Sequence, residues 1–418
     1  MKSKITLVLL LTCMVTAALF AQGSWTLKAS FPGTGRFDAV SFSVGTKGYF
    51  GTGNAGGYTA DFWEWDQATN LWAQKANYPD TPRDRATGFS IGTKGYIACG
   101  YDLQWEDELW EYNPTTNTWV IRTPFANGLG RVSPVSFSIG NKGYVGMGYQ
   151  NFHRQDIWEF DPMTNTWAQK ANFGGPGRWH AVGFAIGGKG YVGTGDTALA
   201  GGQYGPKKDF WEYDPVANSW TRKADYGGPA CSEATGFSIG TKGYIGTGYD
   251  KPAANGGVGP FNAFWEYNPT TDAWVQMTNF GGTARRGALG FSIGNFGYIG
   301  CGFDPIVSYF TDFWEFSTSG IGYEEMNAPL SGLSVYPNPV TEHSTISYNL
   351  NTSSIVSIEL LDLTGKLISV LVNREKQAAG KQFVTVAGFA GKWIPGIYLL
   401  SVTTDKGERS VQKISVAG

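Results

Sequence analysis

The sequence predicts an all-β chain, with six copies of one four-stranded antiparallel module followed by a smaller β-sandwich. Three observations carry this. A tryptophan recurs at Trp25, Trp72, Trp119, Trp167, Trp220 and Trp274, at steps of 47, 47, 48, 53 and 54 residues. Self-similarity at that period marks a closed or stacked repeat architecture. Each copy holds short alternating runs separated by turn-forming residues, the pattern of antiparallel strands. The rhythm stops near Gly320, and a different series of short strand-like runs continues toward the C-terminus.

The second copy is the clearest. Its first strand is expected over Ala86 to Ile91. The turn Gly92-Thr-Lys-Gly95 reverses the chain, because glycine accepts the positive φ of hairpin turns. The second strand follows near Gly95 to Gly100, and the third is Leu109 to Asn113, with aromatic and polar residues alternating. Asn113-Pro-Thr-Thr-Asn117 is a turn, since proline presets φ and Asn and Thr bond their own backbone. The fourth strand begins at Trp119.

Counting strands closes the ring. Trp25-Thr-Leu-Lys28 reads as a fourth strand with no module before it, and the sixth copy ends near Gly320 with no tryptophan after it. An N-terminal strand that completes the sixth module removes an exposed sheet edge. Each copy also carries a segment of the K-G-Y-x-G-x-G type and an aromatic-rich third strand. Copies two to five add a D/N-P-x-x-N/D turn before the tryptophan. In these features about 290 residues resemble the kelch repeats of β-propellers, although the usual adjacent glycine pair is split here, as in Gly51/Gly53, Gly146/Gly148 and Gly246/Gly248. The resemblance implies four-stranded blades around a central channel, and hence a six-bladed kelch-type β-propeller closed by the N-terminal strand.

Composition sets the broad class. Charged residues make up 16% of the chain and aromatics 15%, which suits a well-packed secreted protein and not a disordered one. Residues 1–21 read as a signal peptide: Lys2 and Lys4 precede a mostly apolar run that ends in Ala21. The run is too short for a membrane span, so none is expected in the mature chain. Without Lys2 and Lys4 the charge is 30 basic against 34 acidic residues with no basic stripe, so no nucleic-acid partner is expected. Cys99, Cys231 and Cys301 remain, an odd number. Cys99 and Cys301 occupy matching positions and read as small buried side chains.

The copies act as internal controls for function. Glu64, Glu111, Glu159, Glu212, Glu266 and Glu315 share one third-strand position, and six of them read as scaffold holding loops or neighbouring blades. Trp63, Trp110, Trp158, Trp211, Trp265 and Trp314 read as core between blades. Variation concentrates on one face, in the links from strand four to the next strand one and in the loops between strands two and three. Those loops are longest in copies four and five. Binding sites favour such loops over a rigid scaffold.

On that face Arg36, Arg83, Arg131, Arg178 and Arg285 recur, with Cys231 in the fifth copy. They are either an anion-binding row or scaffold paired to nearby carboxylates. Their non-repeating neighbours Asp84, Arg85, Trp179, His180, Glu233 and Arg286 are the better site candidates. Trp105, Tyr149, His153, Tyr204, Phe261 and Tyr309 add aromatic groups from the variable loops. Aromatics with scattered polar groups suit a glycan or protein ligand.

No catalytic residue and no cofactor is assigned. The chain has no G-x-S-x-G elbow and no P-loop, and no Cys/His zinc spacing. His153 and His180 alone do not make the paired His and Tyr ligands of a copper site. An acid/base pair such as Glu233 with an Arg or His keeps a carbohydrate-active enzyme, such as a sugar mutarotase, as the alternative to a binding module.

After an expected linker at 321–332, about seven short strands suggest a small immunoglobulin-like sandwich. Tyr336-Pro-Asn-Pro339, the Asp362-Leu-Thr-Gly-Lys366 turn, Gly396-Ile-Tyr398 and the terminal Gln412-Lys-Ile414 strand resemble the C-terminal sorting domain of type IX (Por) secretion cargo. The expected organisation is signal peptide 1–21, propeller 22–320, linker 321–332 and sorting domain 333–418. The resemblance implies export through the periplasm and outer membrane to the cell surface or medium, with the type IX machinery as partner.

Overall fold

In the computed structural model the chain divides into two units, Met1–Ser319 and Gly320–Gly418. The structure describes residues 23–199, 204–250, 259–306, 308–318, 330–336, 338–350, 352–362, 366–386, 393–406 and 409–416. The expected signal peptide, most of the expected linker, residues 363–365 of the expected sorting-domain turn and parts of the two longest loops lie outside them.

Among its described residues the first unit holds six four-stranded antiparallel sheets, five of them with their strands in sequence order. In module two these are Thr87–Ile91, Lys94–Ala98, Leu109–Asn113 and Thr118–Arg122, close to the bounds expected from sequence. Module six takes its outer strand from the N-terminus. Ser24–Leu27 pairs with Phe313–Ser317, Trp25 opposite Phe316 and Leu27 opposite Trp314.

The six first strands are mutual neighbours in a closed circle. The packing between modules explains why their sequences repeat. The first-strand phenylalanine of one module lies where a β-carbon would stand on the second-strand glycine of the next. A Cβ on Gly95 would be 2.1 Å from the Phe42 ring, and one on Gly297 2.1 Å from Phe237. Only glycine permits that approach. At the outer rim each module-ending tryptophan donates its indole N–H to a backbone carbonyl of the preceding module. Trp72 reaches Ala29 at 2.8 Å, Trp119 reaches Ala76 at 2.9 Å, and Trp25 reaches Thr278 at 3.1 Å. Trp25 therefore makes the same bond as its five counterparts, although it enters from the chain's other end.

The repeated glutamates are scaffold of a different kind from the one expected. Each accepts a hydrogen bond from the tyrosine directly opposite it in its own sheet, as in Tyr49–Glu64 at 2.7 Å and Tyr191–Glu212 at 2.7 Å. They brace a sheet internally and do not bridge two modules. The third-strand tryptophans do pack between modules: Trp63 meets Phe31, and Trp211 meets Phe173, each from the preceding link.

The second unit has seven strands in two sheets among the described residues. Leu330–Tyr336, Thr345–Leu350 and Gly380–Thr385 form one, and Leu367–Gln377, Ser354–Leu361, Gly396–Thr404 and Arg409–Val416 form the other. Alternate residues of both, including Ile346, Tyr348, Val356, Ile358, Leu360, Leu400, Val402 and Ile414, fill one core. This is the period-two pattern of strands that are wet on one face.

Candidate functional site

The links from strand four to the next strand one converge at one mouth of the central channel. Two residues after the repeated arginine, each link contributes one residue to an inner ring: Asp38, Arg85, Ser133, His180, Glu233 and Gly287. All six have left-handed backbones, with φ between 48° and 56°. Non-glycine residues avoid this region at a cost of about 1 kcal/mol or more. A closed circle of backbone hydrogen bonds holds them there. Arg85 N–H donates to Asp38 C=O (3.0 Å), Ser133 to Arg85 (2.8 Å), His180 to Ser133 (3.4 Å), Glu233 to His180 (3.3 Å), Gly287 to Glu233 (2.9 Å) and Asp38 to Gly287 (3.1 Å). The backbone of this ring is six-fold regular, while its side chains are all different.

The ring surrounds a cavity of about 160 Å³, floored by the residues next in sequence, five alanines and one proline. A second cavity of about 160 Å³ continues along the first strands into the channel. Around the ring, the residue before each ring position pairs with the start of the loop between strands two and three. The pairs are Phe37–Asn54, Asp84–Tyr101, Val132–Tyr149, Trp179–Asp196, Ser232–Tyr249 and Arg286–Phe303. The two kinds of variable connection thus meet on one face.

The charges of the mouth are interlocked. Glu233 receives Arg286 Nη1 with both oxygens, at 2.9 and 3.0 Å. Arg85 Nε lies 3.4 Å from Asp38 Oδ2, and its Nη1 3.8 Å from Asp84. His180 stands between two carboxylates, with Nε2 4.0 Å from Asp38 and Nδ1 4.0 Å from Glu233. Burial, and then the charge of Glu233, pushes the Asp38 carboxyl up to about 8, against the pull of Arg85 and Arg286. Burial also raises Asp84. Aromatic rings form a collar: Arg286 lies over Tyr249 (5.0 Å), Phe303 (5.4 Å) and Phe37 (5.6 Å), and Trp179 packs on His180 (4.5 Å) and Tyr149 (5.5 Å).

The repeated arginines Arg36, Arg83, Arg131, Arg178 and Arg285 are not at the mouth's surface. All are buried, and each pairs with a carboxylate placed just before the third strand of its own module. Arg131 meets Asp156 in bidentate fashion at 2.8 and 2.9 Å, and Arg178 meets Asp209 at 2.7 and 2.7 Å. Their guanidinium groups are committed to the scaffold, so Arg83, Arg131, Arg178 and Arg285 leave the candidate set as ligand contacts. Module five has lost both partners together, with Cys231 and Ala263 in their places. Its Trp265 indole N–H, whose counterparts donate to carboxylates, is buried without a hydrogen-bond partner among the described residues.

Among the other candidates, Asp84, Arg85, Trp179, His180, Glu233 and Arg286 are brought together. Tyr149 and His153 lie beside Trp179. Tyr309 stacks near Phe37. Phe261 pairs through its backbone with Arg285. Trp105 is 38% exposed on the module-two loop and does not line the cavity. Tyr204 begins a short strand opposite Ala198, and its side chain lies outside the described residues. Sequence reasoning missed Asp38 and Ser133. Their signal is the column two residues after the arginine, which reads Asp, Arg, Ser, His, Glu, Gly with no repetition. Among the described residues no three side chains converge as a metal site.

Comparison with curated proteins finds no match. Among solved structures, the chain resembles the structure of YjhT at a TM-score of 0.60 and 18% identity, over 68% of this chain and 95% of that one. This likeness supports a propeller-type fold for the repeated unit. A family model, the secretion system C-terminal sorting domain, matches residues 334–417. The C-terminal unit is such a sorting domain, and it indicates export of the chain through the type IX system to the cell surface or the extracellular space.

Proposed function

We propose that this is a secreted or cell-surface binding module: a six-bladed kelch-type propeller, closed by its N-terminal strand and carried by an immunoglobulin-like sorting domain. It recognises a glycan, or a protein segment, at the mouth of its channel. The observation that carries this reading is the inner ring. Six positions equivalent in backbone carry six different residues, five with side chains and one glycine, around one cavity. Scaffold requirements repeat with the modules, and a site for a single ligand breaks their symmetry. The cavity is small and polar below an aromatic collar, a shape suited to the end of a glycan chain.

A glycan array probed with the full mature chain tests the proposal, with hits retested on Trp179→Ala and Arg286→Gln. Loss of binding in these variants supports the mouth. Loss only on changing the opposite hairpin turns, as in Thr93→Ala or Asn141→Ala, rejects it. A second reading, a carbohydrate-active enzyme such as a sugar mutarotase, draws on His180 set between Asp38 and Glu233. Groups of this kind, tuned by their surroundings, suit proton transfer. Faster anomer exchange of a bound sugar, seen by NMR and lost in Glu233→Gln, distinguishes it from binding alone.

A further inference from the structure

The charges facing the mouth come from five modules: Asp38, Asp84 and Arg85, His180, Glu233, and Arg286. Three carboxyl groups and two guanidinium groups meet here, with His180 between Asp38 and Glu233. Glu233 is matched by Arg286 through two hydrogen bonds. Asp38 is not matched in this way. Arg85 approaches it only to 3.4 Å and His180 Nε2 only to 4.0 Å, both at Oδ2. Its Oδ1 packs closely on Gly287, where a β-carbon would lie only 2.9 Å from it. Asp38 lines the mouth cavity, so a buried carboxyl group faces that space. Elsewhere on the ring Ser133 is 92% buried, and its hydroxyl oxygen has no hydrogen-bond partner among the described residues.

We propose that the ligand enters with a protonated primary amine leading, bound by Asp38 with the Ser133 hydroxyl as a further acceptor, and that it is a free amino sugar. The inference deepens the glycan reading above and rests on it. An ammonium group beside Asp38 brings a positive charge that lets this buried carboxyl ionise, together with three N–H donors for open acceptors. An anionic ligand would instead find both guanidinium groups already facing carboxyl groups. A sugar is preferred over a flexible alkylamine because Phe37 and Tyr249 gather around Arg286, and Trp179 packs on His180, so that rings able to meet the C–H faces of a pyranose adjoin the inner ring.

Titration calorimetry on the full mature chain, with glucosamine, N-acetylglucosamine, glucose and lysine methyl ester as probes, tests it. Glucosamine should bind at least about tenfold more tightly than the other three, as a charge-assisted hydrogen bond in a desolvated site implies. Asp38→Asn, which keeps shape and removes charge, should abolish that preference while circular dichroism and the unfolding midpoint show a folded chain. Tighter binding of lysine methyl ester overturns the sugar assignment. Equal or tighter binding of glucose or N-acetylglucosamine, lost in Arg286→Gln, overturns the ammonium while leaving the mouth as the glycan site. Binding indifferent to both variants, or no binding by any probe, overturns the inference and the mouth assignment together.

Discussion

Arg178 and Asp209 offer a decisive test of the scaffold assignment. The Arg178 side chain is fully buried. It makes two hydrogen bonds to Asp209 at 2.7 Å, one to Thr194 C=O at 2.9 Å and one to Pro176 C=O at 3.2 Å, over the face of Phe173. Burial pushes the Asp209 carboxyl up, but the bonds from Arg178 outweigh it and hold the group below its usual range. Removing one partner of a buried pair costs about 3–5 kcal/mol, because the other charge is left uncompensated. Asp209 retains 15% exposure and the Trp211 indole donor, which places Arg178→Cys near the lower end, about 3 kcal/mol. The double variant Arg178→Cys/Asp209→Ala reproduces what module five already contains, Cys231 with Ala263. It leaves no buried charge, so it should cost less than the sum of the two single variants by about 1.5–3 kcal/mol. Urea unfolding midpoints of the four proteins, at a common m-value, give the coupling directly. Additivity within about 0.5 kcal/mol would show that the arginine row is not held by its carboxylates.

Other consequences follow from the same geometry. Deleting Ser24–Leu27 removes four paired positions and the Trp25 bond to Thr278, and it exposes the edge of the Phe313–Ser317 strand. The unfolding midpoint should fall by several degrees and aggregation should rise; an unchanged melting curve refutes the closure. Asp38 holds its proton more tightly in the folded chain than its ordinary value of 3.8, so the folded state binds more protons than the unfolded one. The associated stability is fully present below about pH 3.8 and is lost as pH rises toward about 8. Asp84, Arg85, His180, Glu233 and Arg286 face the same group, so the readout is the difference between wild type and Asp38→Asn from pH 5 to 8. Parallel pH profiles would contradict it. Removing residues 333–418 should trap the chain in the periplasm, and normal surface export of the truncation would contradict the sorting role.

Much of the repeated unit was legible because its interactions are local and recur. The Gly-Tyr of the second strand and the rim tryptophans follow from contacts made once per module. The arginine row was ambiguous because its partners lie 25 to 31 residues downstream, as for Arg36–Asp61 and Arg178–Asp209. The joint loss of Arg and Asp in module five was the available clue. Glu64 and its counterparts were read as scaffold, but the hydroxyl opposite each of them becomes visible only with strand register. Asp38 escaped because no single copy marks it. It stands out only when six links are aligned on the left-handed residue that the backbone ring imposes.

The account turns on the inner ring as the place where a ligand is held. A crystal structure of the mature chain with the strongest glycan from an array measures this most directly. The account predicts density in the 160 Å³ mouth, in contact with Asp38 and with at least one of His180, Glu233 and Arg286. Density over the hairpin turns of the opposite face, or along the outer strands, would contradict it.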